Sequence, residues 1–316
     1  MSDDTPIRDV ADTAFMVAAF RAREGERPDA LFHDPLSGKL AGERGRRILE
    51  AMAAGRGGRR HAGAAMRTGA MTWFMAIRTR VIDEMILAAI AEGADAIVNL
   101  GAGLDTRPYR LELPASLVWI EADLPGMIDY KEERLAQERP RCRLERVRLD
   151  LRERAARSEL LSALGTRFRE VLVLTEGVIP YLTAEDVGRL AEDLRAQPSC
   201  RRWIAEYLSP RVMGYRRRAM RATRVWMRNA PFLFDPQDFF GFFRAYGWRP
   251  RVVRSMWEEA QRLGRRPQLP WFVRAAIRLR RVLLSRRARE RLSRGLAYVL
   301  FEPAIGPDGE SPGGTA

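Results

Sequence analysis

Four short apolar runs in this chain each break off at a glycine or an acid, and no other feature constrains its fold as tightly. AIVNLGAG spans 96–103, SLVWIEAD 116–123, RVRLD 146–150 and EVLVLTEG 170–177. Helix-like stretches lie between them, and strands alternating with helices are the pattern of a parallel α/β sheet. In such sheets a ligand sits outside the carboxyl ends of the strands. The alternation therefore gathers Gly101, Gly103, Glu121, Asp123, Asp150, Glu176 and Gly177 at one rim. Three more β-like runs, RRWIAEYL at 201–208, WRPRVVRS at 248–255 and GLAYVLFEP at 295–303, bring the strands to seven.

The first break is the most informative. Gly101-Ala102-Gly103 is followed by Asp105-Thr106-Arg107 and then Pro108. Without a Cβ at 101 or 103 the backbone can approach a ligand closely, so the loop can floor a nucleotide-like cofactor. Thr106 or Asp105 is placed to cap the next helix, with Pro108 in its first turn. The dinucleotide fingerprint G-x-G-x-x-G wants a small residue at 106, where Thr106 stands. That argues against a pyrophosphate cradle and a nicotinamide-dependent oxidoreductase. The acids Glu121 and Asp123 end the second run about twenty residues beyond Gly101, the separation at which a carboxylate meets a ribose hydroxyl pair.

The segments NLGAGLDTRPYRL, EADLPGMIDYKEERL, LDLRE and LTEGVIPYLTAEDV, in this order and at these spacings, resemble the leucine carboxyl methyltransferase-like family of S-adenosylmethionine-dependent methyltransferases. The likeness extends to its bacterial branch that includes polyketide O-methyltransferases. RPDALFHDPLSGKLAG at 27–42, IRTRVIDEMI at 77–86 and FDPQDFFGFFRAYGW at 234–248 continue it, so it covers about residues 14 to 303.

The resemblance implies a class I, Rossmann-like α/β fold: a seven-stranded sheet with helices on both faces, its final strand antiparallel. It implies S-adenosylmethionine as cofactor. Arg78 would hold the methionine carboxylate, with Arg80 as a second candidate. Gly101, Ala102 and Gly103 would pass beneath the cofactor, and Asp123, followed by Leu124, would take the ribose. Asp150 and Leu151 would lie beside the adenine, and Glu176 near the amino group and the sulfonium. The activity implied is O-methylation of a hydroxyl or carboxylate on a small, natural-product-like acceptor. A carboxylate acceptor needs no base, whereas for a phenol Glu176 and Tyr181 are the local candidates.

The expected organisation is a flexible start at 1–13, one methyltransferase domain over 14–303 and a disordered tail at 304–316. Within the domain we expect an N-terminal helical region at 14–92 and a cofactor-binding core at 93–208. A cap at 209–240 and a C-terminal part at 241–303 with a basic helical insertion complete it. In the cap, Tyr215, Trp226, Met227, Phe232 and Phe234 suit either a flat acceptor or core packing. The glycine-rich break at 55–63 reads as a loop.

A net charge of +14, carried almost wholly by arginine, raises an alternative, RNA modification, because phosphate attraction is sequence-independent. No basic domain with interleaved aromatics accompanies it, and the motifs match small-molecule enzymes. The densest arginine runs fall at 211–228 and 265–294. In the second, Phe272, Ala275, Ala276, Leu279, Val282 and Leu283 form an apolar stripe that could pack on the core or touch an anionic membrane weakly. Two cysteines, Cys142 and Cys200, without C-x-x-C spacing, and two histidines, His33 and His61, argue against a metal site. The start is acidic and no apolar run approaches a membrane span, so the expected location is cytoplasmic.

Overall fold

A computed structural model describes residues 10–54, 62–210, 212–214, 231–265 and 295–304. The strands are β1 (Ala96–Leu100), β2 (Val118–Asp123), β3 (Arg143–Arg148), β4 (Val171–Thr175), β5 (Cys200–Leu208), β6 (Trp248–Ser255) and β7 (Leu296–Pro303). They form one sheet in the order β3-β2-β1-β4-β5-β7-β6. Strands β1 to β5 are parallel, and β7 runs antiparallel between β5 and β6. The seven expected strands are therefore present, with the final one reversed. β3 differs in its bounds. It starts at Arg143, because it pairs residue by residue with β2 from Val118↔Arg143 to Asp123↔Arg148, and Asp150 falls beyond its end. Its half-exposed, charged sequence suits an edge strand.

The helices are α1 (Val10–Gly25), α2 (Pro35–Ala54), α3 (Ala62–Ala91), α4 (Arg107–Arg110), α5 (Pro125–Leu135), α6 (Arg154–Arg167), α7 (Ala184–Arg195), α8 (Phe239–Ala245) and α9 (Met256–Arg262). α2 bends at Gly42, whose backbone is non-helical. The helix expected after the glycine loop is a single turn, α4.

Period-two alternation divides the sheet into two faces. Ala96, Val98, Val171, Val173, Trp203 and Ala205 point to one, under Leu161, Leu164, Val187, Leu190 and Leu194 of α6 and α7. Ile97, Leu172, Leu174, Ile204 and Tyr298 point to the other, under Ile77, Val81, Ile82 and Met85 of α3. Those α3 positions recur at helical spacing, and this stripe seats the helix on the sheet. The same parity fixes what happens at the rim. Glu176 is two residues beyond Leu174 and Glu206 two beyond Ile204, so both carboxyls rise on the α3 face.

Phe234 packs with Phe239, Phe242 and Phe243 in the core, not on an acceptor surface. Phe232 meets Tyr181 edge-on at 5.0 Å. Tyr215, Trp226 and Met227 of the expected cap lie outside the described residues, as do 1–9, most of the glycine-rich break, the basic insertion and the tail. Among the described residues no helix is long and apolar enough to cross a membrane.

Candidate functional site

The chain leaves β1 through Gly101, at φ +72°. A Cβ there would lie 2.4 Å from Val178 Cγ2, closer than real contacts allow, and 3.8 Å from Leu151 Cδ1. Glycine is thus required by both conformation and space. The Gly101 amide donates to the Ala122 carbonyl at 2.7 Å, tying the loop to β2. The Gly103 amide donates to Asp123 Oδ2 at 2.6 Å, and the Leu124 amide donates to Asp123 Oδ1 at 2.7 Å. Burial raises the pKa of Asp123, and these two N–H donors partly offset it. Leu124 beside it is 43% exposed, a large apolar side chain left open to solvent next to the glycine floor.

Neither capping expectation holds as written. Thr106 makes no cap bond and its Oγ1 has no partner among the described residues. Asp105 accepts from the Arg107 amide at 3.0 Å, but its carboxylate mainly serves charge, taking Asn99 Nδ2 at 2.9 Å and Arg107 Nη1 at 2.8 Å. Glu121, the other acid at the end of β2, is turned away from the rim. It is fully buried between Lys131 at 2.7 Å and Arg146 at 3.0 Å, a structural ion cluster.

Arg78 projects from α3 toward the ends of β4 and β5. Its side chain is 9% exposed, and Nε lies 2.8 Å from Glu176 Oε1. Burial disfavours its charge, but Glu176, Tyr298 and Glu206 outweigh that and hold it protonated. Gly177, at φ +72°, follows Glu176 at the point where a Cβ would come within 3.0 Å of Arg78 Nη2. The glycine lets the guanidinium pass against the backbone. Arg80 instead faces solvent and pairs with Glu84 one turn on, so of the two candidates only Arg78 enters the site.

Glu176 is gripped twice, by Arg78 and by Arg107 Nη1 at 2.6 Å. Burial alone would raise its pKa, yet Arg107 and Arg78 hold it below the ordinary carboxylate range. Arg107 is fully buried and also meets Asp83 at 2.6 Å and Asp105 at 2.8 Å. Arg110 reaches Asp83 at 2.7 Å, and Arg21 donates to the Leu104 carbonyl and faces Asp34 and Asp105. Asp83, Arg107, Arg110, Arg21 and Glu206 are the members that the pattern reading passed over. Their signal was present: Asp83 interrupts the apolar stripe of α3, and Glu206 interrupts the buried run WIAEYL.

Leu151 borders the Gly101 floor, and its carbonyl accepts from Arg157. Asp150 accepts from Arg152 through both oxygens at 2.6–3.1 Å, which lowers its pKa. Tyr181 sits in a short 3-10 turn, Ile179–Tyr181, packed on Phe232 and on the cluster of α1 and α2. Gly101, Ala102, Gly103, Asp123, Leu124 and Leu151 thus share one patch. Arg78 and Glu176 form a second, joined to the first through Arg107 and Asp105.

Residues 14–195, from α1 through α7, match the family model described as leucine carboxyl methyltransferase. The chain belongs to that family. It is 31% identical over 258 residues to a putative S-adenosyl-L-methionine-dependent methyltransferase of Mycolicibacterium smegmatis, covering 78% of this chain and 85% of that one. A protein of the same description from Parafrankia sp. is 40% identical over 188 residues, and there the match spans 58% of each. Two solved structures share the fold at 14% identity. A DUF574 family protein of Streptomyces avermitilis matches with a TM-score of 0.50 over 90% of this chain and 96% of its own. A putative methyltransferase of Thermobifida fusca matches with a TM-score of 0.51 over 82% and 94%. The matched leucine carboxyl methyltransferase segment contains Arg78, the glycine loop, Asp123, Asp150 and Glu176, but it ends before β5 and therefore before Glu206.

Many of the described arginines pair with acids inside the fold. Arg148 pairs with Asp129 and Glu132, and Arg254 and Arg262 share Glu84 and Glu259. The two densest runs lie almost wholly outside the described residues.

Proposed function

We propose that the chain is an S-adenosylmethionine-dependent methyltransferase that methylates a hydroxyl or carboxylate oxygen of a small acceptor. The observation that carries this reading is the convergence at one sheet rim of a Cβ-free floor, the Asp123 carboxylate held against it, and the buried Arg78–Glu176 pair. Family membership supports it, as do relatives described as methyltransferases using this cofactor.

The residues fit the group. The Gly101–Gly103 floor is a cradle that a Cβ at 101 would fill. Arg78 offers a planar fork suited to a carboxylate. Asp123 keeps acceptor capacity on each oxygen after bonding Gly103 and Leu124, enough for a hydroxyl pair. Leu124 and Leu151 give apolar surface for a flat ring. When bound, the cofactor supplies a methyl group on a sulfonium, whose departure as a neutral thioether drives the transfer. The chain's own work is then alignment and exclusion of water. Glu176, ionised between two arginines, is a weak base and contributes a fixed negative charge. Its weak basicity favours an acceptor oxygen that needs no deprotonation, a carboxylate above all.

Isothermal titration with S-adenosylmethionine and S-adenosylhomocysteine, with NADH as control, tests the cofactor. Micromolar binding of the first two is expected, and binding of NADH alone would replace the reading with a dehydrogenase. Radiolabelled methyl transfer to panels of carboxylic acids and phenols then tests the acceptor class. Asp123→Ala is expected to weaken binding of S-adenosylhomocysteine by about 1–3 kcal/mol, the scale of a lost charge-assisted hydrogen bond. Unchanged affinity would remove Asp123 from the ribose. Arg78→Lys is expected to weaken it too, since a point charge replaces a fork. Full retention would move the carboxylate contact elsewhere.

A further inference from the structure

The buried ion network at the rim balances without Glu206. Arg21, Arg78, Arg107 and Arg110 face Asp34, Asp83, Asp105 and Glu176, four cations against four carboxylates, every side chain 9% exposed or less. Glu206 is a fifth carboxyl beside this set, itself only 6% exposed. It rises on the α3 face from β5, paired across to Tyr298 of β7. Its Oε2 accepts from the Gly177 amide at 3.2 Å, on the turn that also passes Arg78. Its Oε1 is buried with no hydrogen-bond partner among the described residues.

The groups around it are few. Arg78 faces it from α3, Glu176 and the Gly177 amide from the end of β4, and Tyr298 from β7. Arg78 is the one cation among them, and its Nε is already taken by Glu176. A charge on Glu206 would therefore have no bonded counter-ion and would weaken the field that Arg78 presents to an incoming anion. A proton on Glu206 leaves that field intact.

The geometry points to Glu206 as a proton-linked positioning residue: neutral, it leaves Arg78 poised to receive the cofactor's carboxylate, and ionised, it opposes that anion. This rests on the cofactor reading above. Burial, tempered by Arg78, pushes the Glu206 carboxyl up to about 7, so the change falls within the working range. The sign follows from linkage. An anion arriving at Arg78 favours the protonated form of Glu206, so binding takes up a proton near pH 7, and affinity falls as pH rises above it.

The test is titration of the full chain with S-adenosylhomocysteine between about pH 6 and about pH 8.5, in two buffers of different ionisation enthalpy. The wild type is expected to take up a fraction of a proton, largest near pH 7. Its affinity should drop toward about tenfold per pH unit above that. Glu206→Gln is expected to bind with little pH dependence and no uptake. Uptake that persists in E206Q belongs to the ligand's amino group and overturns the assignment, as does proton release or a flat wild-type profile. If E206Q does not fold, the wild-type proton count decides: a maximum near pH 7 supports the role, and its absence overturns it. Failure of the wild type to bind at any pH is a different result and overturns the cofactor reading itself.

Discussion

Replacing Arg107 by methionine is expected to lower the free energy of unfolding at neutral pH by about 3–5 kcal/mol, the cost of stripping the partner from buried charges. The effect should be large because Arg107 is wholly buried and answers Asp83, Asp105 and Glu176 at once. Methionine fills much of the volume, so the loss is electrostatic. The pH dependence separates this cause from poor packing. In the wild type Asp105 and Glu176 are held below their ordinary pKa, against burial, chiefly by Arg107. Their stabilisation is therefore present above pH ~4, where the unfolded chain's carboxylates ionise, and is lost as pH falls through the lower folded values. In R107M, among the described residues, only Arg78 still pairs with Glu176 and only Arg21 with Asp105, so burial is opposed less and the carboxyls bind protons more readily. The stability gap between variant and wild type should then narrow on acidification. Urea titrations at neutral and mildly acidic pH measure it, and a gap that does not change with pH would mean that packing, not charge, sets the loss.

Gly101→Ala is the second large effect. The substitution places a Cβ 2.4 Å from Val178 Cγ2 and forces an L side chain to φ +72°. The left-handed conformation alone costs roughly 1–2 kcal/mol, and the clash adds to it. Because the Gly101 amide anchors the loop to Ala122, the distortion is expected to reach the cofactor floor. Both the melting temperature and the affinity for S-adenosylhomocysteine should fall. Val178→Ala removes the clashing methyl, so the double variant G101A/V178A should recover part of the stability and little of the binding. If the double variant is no more stable than G101A, the clash is not the cause. If G101A binds the ligand as the wild type does, the backbone at 101 does not form its floor.

The fold could be read closely from sequence because its strands are buried and end abruptly. AIVNL, VWIEAD and VLVLT carry runs of buried residues that no surface helix would show, and the glycine or acid after each marks the rim. β3 was harder to bound, since an edge strand carries little apolar signal and takes its register from its neighbour. Arg78, Gly101, Gly103, Asp123 and Glu176 were legible because type and spacing follow the family pattern. Arg107 was not, because nothing local distinguishes its buried charge from a solvated one, and Asp83 gave only the weak signal of an acid within an apolar stripe. Their burial is created by partners on α3, α4 and β4, remote in sequence. Glu121 shows the converse. It lies two residues before Asp123, still inside β2, and is fully buried between Lys131 and Arg146, so an acid near a strand end is not by itself a rim residue.

The placement of β7 governs the order in which the molecule can be built. Among the described residues β6 touches the sheet only through β7, and β7 alone covers the outer edge of β5. As the chain emerges from the ribosome, every residue of the glycine floor and of the arginine network is already made while β5 still has a bare edge and β6 has nothing to join. Tyr298, which closes over Arg78 and Glu206, arrives with this strand. The rim is thus completed by a strand made after it, and until β7 is in place the sheet has an open strand edge and a polar cluster not yet walled off from water.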